Sequence, residues 1–264
     1  MTLAETPFSD LARGQQRLAG RVAVVTGAGA GIGRGVARMF AAQGATVHAL
    51  DIDAAGIGAL AEEAGGAVRA WPIDLLDEAA VQQAITTIGS EAGRIDALVP
   101  AAAMAVFNWI DTMTYAQWQH TLRGELDIVF LCTHAAWPWL KASGRAAIVN
   151  FASANAHVAL NGSPALAHCA GKGGVMAMTR QLAMEGAAHG IRANTISPGL
   201  ILTQQTARHM ASDPGFEAFA LQKMMIKRIG QPEDIAWTAT FLCSDEAGYI
   251  TGADFRVDAG ATAW

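Results

Sequence analysis

The chain predicts an α/β fold, a doubly wound domain with a parallel sheet of seven strands. Three observations carry this expectation. Short, near-continuous apolar runs of strand length recur along the chain, helix-period segments lie between most of them, and the first run leads straight into a glycine-rich turn. Runs that are apolar on both faces suit parallel strands covered by helices on both sides. Repeated strand–helix order implies right-handed crossovers within one sheet. The 264 residues fit one domain of the larger kind, and 52% hydrophobic against 16% charged residues gives it a large buried core.

The strands are expected at Val22–Thr26, Thr46–Asp51, Ala67–Ile73, Ala97–Pro100, Ala146–Phe151, Ile191–Ser197 and Phe255–Val257. The two most extensive helical patterns follow Thr114, which suits a helix N-cap, and Pro164. No linker rich in Gly, Ser or Pro and no tandem repeat divides the chain, so residues 18–264 read as one domain and residues 1–17 as a loosely held N-terminal extension. The stretch from about 204 to 227 reads as irregular. It carries Met210, Phe216, Phe219, Met224 and Met225, as a mobile apolar flap over a substrate would.

Charge and composition exclude several classes of function. The formal charge is −5 and no basic run occurs, which argues against a nucleic-acid surface. No apolar stretch reaches membrane-spanning length; the most apolar, Ala97–Phe107, is short and contains Pro100. Residues 1–17 lack the basic start and apolar core of a signal peptide. Cys132, Cys169 and Cys243 are odd in number and unpaired in spacing, so a reducing, cytoplasmic setting is the simplest expectation. No metal site is assigned.

The strand at Val22–Thr26 runs directly into Gly27-Ala-Gly-Ala-Gly31-Ile-Gly33, followed by a helical segment. Strand, glycine-rich turn and helix N-terminus in that order make a phosphate site, because the glycines admit a pyrophosphate close to the backbone and the helix dipole favours its charge. A dinucleotide is therefore expected there. Asp51 closes the second strand, where a carboxylate can accept hydrogen bonds from the adenosine ribose hydroxyls and would repel a 2′-phosphate, so NAD is favoured over NADP. The competing reading makes Asp51 a helix cap, a role that Asp53 suits better. Asp74, at the end of the third strand, suits the adenine edge and a helix cap equally.

Several ordered motifs resemble the short-chain dehydrogenase/reductase family over residues 18 to 260. Thr26-Gly27-x-x-x-Gly31-x-Gly33 is similar to its cofactor signature, and Ile148–Ser153 to the fifth strand ending at its catalytic serine. Pro198–Thr203 is similar to the segment that holds the nicotinamide and pyrophosphate, and Tyr249–Gly260 to its C-terminal strand. The resemblance implies a seven-stranded Rossmann-type sheet, a homotetramer, and a dinucleotide held by Gly27, Gly29, Gly31, Ile32, Gly33, Asp51, Asp74, Leu75, Ala101, Lys172, Pro198, Gly199, Ile201 and Thr203. It also implies an active site of asparagine, serine, tyrosine and lysine, of which only Ser153 and Lys172 match. The tyrosine position is occupied by His168. The asparagine position, aligned through Trp118 and Phe130–Thr133, is occupied by Glu125. Pro100-Ala-Ala-Ala103 stands where the family has Asn-Asn-Ala-Gly, and the gap from Ser153 to His168 is longer than the common family spacing by about two residues.

His168 and Lys172 are four apart and share one helix face. A neutral imidazole is a competent general base at neutral pH. Glu125 could pair with Lys172 or orient His168 as the acid of a triad does. The candidate catalytic set is thus Ser153, His168, Lys172 and Glu125. His157 and His209 both read as ordinary loop histidines; His157, in the lengthened loop after Ser153, is also kept as a reserve base. Met104, Phe107 and Trp109 suggest an apolar wall to the substrate pocket. The expected activity is NAD-dependent interconversion of a secondary alcohol and a ketone. A non-redox lyase or dehalogenase type of enzyme that retains NAD, and a catalytically silent NAD-binding protein, are the alternatives.

Overall fold

A computed structural model describes residues 15–213 and 215–264. Seven strands form one sheet: β1 (Val22–Thr26), β2 (Thr46–Asp51), β3 (Val68–Pro72), β4 (Ala97–Pro100), β5 (Ala147–Phe151), β6 (Arg192–Pro198) and β7 (Asp254–Val257). Their order is β3-β2-β1-β4-β5-β6-β7 and every pairing is parallel. Helices α1 (Gly31–Ala42), α2 (Ala54–Glu63), α3 (Glu78–Ala92), α4 (Tyr115–Leu122), α5 (Ile128–Ser143), α6 (Leu166–Gly186), α7 (Gln204–Ser212), α8 (Phe216–Lys223) and α9 (Pro232–Cys243) connect them. The expected fold is the one observed, and each strand lies within about a residue or two of its expected place.

Both faces of the sheet are covered along its central strands, which is why β1, β4 and β5 read as near-continuous apolar runs. On β1, Ala23 and Val25 face the cluster built with Val36 and Phe40 of α1 and Ile235 and Leu242 of α9. Val24 between them faces the opposite cluster, with Ile85 and Ile88 of α3, Leu140 of α5 and Val175 of α6. Among the described residues no helix is long and apolar enough to cross a membrane.

Two expectations need correction. The stretch read as irregular from 204 to 227 contains two short helices, α7 and α8, the first begun by a Thr203 cap and box with Thr206. Its short period and Pro214 hid both from sequence reading, and its mobility as a flap remains a proposal. The helical pattern after Thr114 is not one regular helix: Thr114 does cap α4, through a box with Gln117, but a five-residue π-helical turn at Arg123–Asp127 separates α4 from α5. Of the expected N-terminal extension, residues 1–14 lie outside the described residues. Arg17 pairs with Glu246 at 3.3 Å and its N–H donates to Gln43.

Candidate active site

The winding of the sheet reverses between β1 and β4, which opens a crevice beyond their carboxyl ends. The glycine-rich turn fills one side of it, so closely that only glycine fits at two positions. A Cβ on Gly27, which has a φ of +65°, would sit 2.6 Å from the Ala102 nitrogen, and a Cβ on Gly33 would collide with the Gly27 carbonyl. Asp51 at the end of β2 accepts the Gly29 N–H through Oδ2 at 2.8 Å and the Asp53 N–H through Oδ1 at 2.9 Å. Asp53 caps α2 by accepting from Gly56 at 3.0 Å, so the capping role is not Asp51's. Likewise Asp77 caps α3, while Asp74 accepts the Leu76 N–H in the loop beyond β3.

The remaining positions expected around a dinucleotide also gather beyond the strand ends. Ile32 lies in the first turn of α1, Leu75 is buried after β3, and Ala101 directly follows β4. Pro198 ends β6, Gly199 donates to the Val257 carbonyl, Ile201 bridges to Gly230 and Thr203 caps α7. A cleft of about 570 Å³ beside the turn is lined by Gly29, Gly31, Asp53 and Thr203, among others. Glycines that only a bare backbone can occupy, a helix N-terminus and a carboxylate at the second strand end together fit a dinucleotide.

A second set of side chains converges across the crevice. Ser153 follows β5 and starts a short 3₁₀ turn; its Oγ accepts the Asn155 N–H at 3.2 Å. His168 comes from the first turn of α6, and its Nε2 lies 3.1 Å from Ser153 Oγ. Its Nδ1 lies 2.6 Å from Oε1 of Glu125. Glu125 is 1% exposed and projects from the π-helical turn, a feature that recurs at functional sites because it re-aims side chains that a regular helix would point elsewhere. A carboxylate can only accept, so Nδ1 carries a proton, and in the neutral ring Nε2 presents a lone pair to Ser153. Phe107 packs its ring against His168 with centroids 5.2 Å apart.

Lys172, one turn further along α6, is buried, and its Nζ donates to the Phe151 carbonyl at 3.1 Å. Burial lowers its pKa from the ordinary lysine value, and the Glu125 charge pulls it partly back. Of the two roles open to Glu125, its hydrogen bond goes to His168, while its charge still reaches Lys172. Gly171 makes room for this: a Cβ there would sit 2.8 Å from Glu125 Oε2.

His157 is elsewhere engaged. Its Nε2 meets Asp254 Oδ2 at 3.0 Å and Ser197 Oγ at 3.1 Å. Sequence reading missed this cluster, the Asn155 N–H on Ser153 and the space supplied by Gly171. A glycine directly before Lys172 was the visible signal for the last; nothing local links His157 to a residue 97 positions away.

Known proteins share this architecture and sequence. A family model described as Enoyl-(Acyl carrier protein) reductase matches residues 27–262. D-threitol dehydrogenase of Mycolicibacterium smegmatis is 41% identical over 250 residues, which span 93% of this chain and 94% of that protein. Galactitol 2-dehydrogenase (L-tagatose-forming) of Cereibacter sphaeroides is 34% identical over 248 residues, 94% of this chain and 97% of that one. A crystal structure of a short-chain type dehydrogenase/reductase from Mycobacterium marinum superposes with a TM-score of 0.85 at 27% identity, covering 95% of this chain and 98% of that one. Likeness at this identity along nearly the whole length of each relative joins the sheet, the crevice and the sequence in one assignment: the chain belongs to the short-chain dehydrogenase/reductase family and is an oxidoreductase enzyme of that kind.

Proposed function

We propose that this protein is an NAD-dependent dehydrogenase that interconverts a secondary alcohol and a ketone, with His168 in the place the family gives to its proton-transfer tyrosine and Glu125 in that of its asparagine. The observation that carries the reading is the hydrogen-bonded line Ser153–His168–Glu125, which stands across the crevice from the glycine-rich turn and beside Lys172.

In this reading the Ser153 hydroxyl holds the substrate oxygen. His168 Nε2 takes the hydroxyl proton as the ketone forms, and the charge that develops on the ring is balanced by Glu125 at Nδ1. Glu125 acts through His168 and is a positioning residue: it fixes which ring nitrogen is free. Lys172, on the same helix face, binds the nicotinamide ribose. NAD, when bound, supplies the hydride acceptor. Gly27, Gly29, Gly31, Ile32 and Gly33 would hold its pyrophosphate, Asp51, Asp74 and Leu75 its adenosine, and Ala101, Pro198, Gly199, Ile201 and Thr203 its nicotinamide half.

NAD is favoured over NADP by Asp51, whose carboxylate would face a 2′-phosphate. Arg34 and Arg38 also line the cleft, but both are held by Glu63, at 2.9 Å and 2.6 Å, a pairing that competes with any phosphate there. The relatives' names make small polyols the first substrates to try, and the Phe107 ring packed against His168 makes aryl-substituted secondary alcohols the second. The test is the appearance of NADH with threitol, galactitol and 1-phenylethanol, with NADP in parallel. Equal or faster turnover with NADP would overturn the cofactor assignment. Asp51→Ala should weaken NAD binding and relax the preference.

We also infer a homotetramer in a reducing, cytoplasmic setting. Phe130 on α5 and Met184 on α6 are large apolar side chains left exposed on the helices that would pair, and all three cysteines are free thiols. Light scattering at micromolar concentration tests the assembly, and a monomeric mass would refute it.

A further inference from the structure

Alcohol oxidation requires a base beside the substrate hydroxyl. It does not require the protein's own serine to be hydrogen-bonded to that base with a buried acid behind it, yet this is the arrangement present. Glu125 accepts from His168 Nδ1 at 2.6 Å, which leaves Nε2 as the acceptor 3.1 Å from Ser153 Oγ. Ser153 Oγ already accepts the Asn155 N–H at 3.2 Å, so the serine's own proton is the one directed at Nε2. The proton order runs from serine to imidazole to carboxylate, the order that activates a serine as a nucleophile on unrelated folds. Ser153 and His168 are only partly buried, so a reagent can reach them from the crevice.

We propose that Ser153 is an activated nucleophile and that the site transfers acyl groups from activated esters to water without a dinucleotide. Ser153 Oγ bonds to the acyl carbon while its proton passes to His168 Nε2. The tetrahedral adduct then collapses, its bond to the leaving oxygen breaks, and that oxygen takes the proton from Nε2. A water molecule gives a proton to the same nitrogen and attacks the acyl carbon; the acyl–Oγ bond then breaks, Ser153 Oγ takes the proton back from Nε2, and the carboxylic acid leaves. No oxidant or reductant is consumed. The Phe107 ring packed against His168, with Met104 and Trp109 nearby in sequence, suits an aromatic leaving group, so aryl esters of short acids are the expected class. The proposal rests on the residues of the proposed dehydrogenase site but not on hydride transfer.

The experiment uses the full-length, dinucleotide-free protein with p-nitrophenyl acetate and, separately, a fluorophosphonate probe. The expected result is a burst of about one p-nitrophenol per chain, followed by slower turnover, with the acetyl and phosphonyl groups mapped to Ser153 by peptide mass analysis. Ser153→Ala should abolish the burst. His168→Ala and Glu125→Gln should slow labelling by about 10²–10⁴-fold at unchanged melting temperature, and Glu125→Asp should restore part of the rate. No adduct on Ser153, an adduct on Cys169 in its place, or equal labelling in His168→Ala would overturn the proposal. Alcohol oxidation is assayed on the same preparations with NAD. An unlabelled serine in a protein that oxidises alcohols removes the acyl-transfer proposal alone, and a labelled serine in one that does not removes the dehydrogenase reading alone.

Discussion

Two clusters in this molecule each join a histidine, a serine and a carboxylate. In one, His168 uses opposite edges of its ring: Nδ1 meets Glu125 and Nε2 meets Ser153. In the other, His157 meets both Asp254 and Ser197 through the single nitrogen Nε2, and Ser197 donates its proton to Asp254 Oδ1 at 2.7 Å, not to the ring. Thr195 donates to the same carboxylate oxygen at 2.6 Å. The first arrangement leaves a lone pair aimed at a hydroxyl, so it can move a proton. The second gathers donors onto one carboxylate and ties the loop after β5 to β6 and β7, so it can only hold. Composition does not distinguish a base from a clamp; the order of atoms does.

The largest effect expected from this contrast is on turnover. His168→Ala should lower kcat for alcohol oxidation by about 10²–10⁴-fold with little change in NAD affinity, whereas His157→Ala should leave kcat within a few-fold. The opposite pattern in steady-state kinetics and NAD titration would make His157 the base.

A third histidine, bonded to an indole, sharpens the point. His48 is buried on β2 and accepts the Trp71 indole N–H at Nδ1, 3.0 Å away. Burial first, and the Arg69 charge second, lower its pKa from 6.5 to about 4. Between those values the unfolded chain binds a proton that the folded protein refuses, so stability rises with pH across this window and is lost as pH falls from 6.5 towards 4. The loss amounts to about 3 kcal/mol if the whole shift is expressed. Urea unfolding at a series of pH values should show this slope, and His48→Gln, which keeps an acceptor for Trp71 but cannot titrate, should flatten it.

Next in size is the clamp itself. Asp254→Ala leaves Ser197, Thr195 and His157 without their shared acceptor and should cost about 1–3 kcal/mol in denaturant unfolding while sparing proton transfer at His168. A collapse of kcat as deep as that of His168→Ala, at intact stability, would merge the two clusters functionally.

The smallest effect concerns space beside the base. Gly171→Ala should push the Glu125 carboxylate off His168, because the added carbon would lie 2.8 Å from Oε2. Oxidation should slow by about tenfold, equivalent to about 1.4 kcal/mol, with the helix itself no less stable since alanine is the better helix former. Unchanged kinetics would mean that Glu125 has room to yield.

The sheet was legible in the sequence because its cause is local. Val22–Thr26 and Ala147–Phe151 are apolar on both faces, since both faces are covered, and period and composition report that directly. The glycine-rich turn, the Asp53 cap and the Thr114 cap were legible for the same reason: each is a bond or a turn completed within a few residues. The π-helical turn at Arg123–Asp127 was not, because a one-residue change of helical register leaves no mark on a pattern of apolar residues. The partner of His157 was not legible either, since it lies on the last strand.

The sequence by itself determined the parallel seven-stranded sheet, the glycine-lined turn and the candidates for the base, its supporting acid and the hydroxyl that holds the substrate oxygen. Only the tertiary structure decided that Glu125 bonds to His168 and not to Lys172, and that His157 is turned to Asp254. Those choices depend on pairings across 43 and 97 residues of chain, where helix register, the room left by Gly171 and the direction of each ring nitrogen are fixed by packing that no local run of residues encodes.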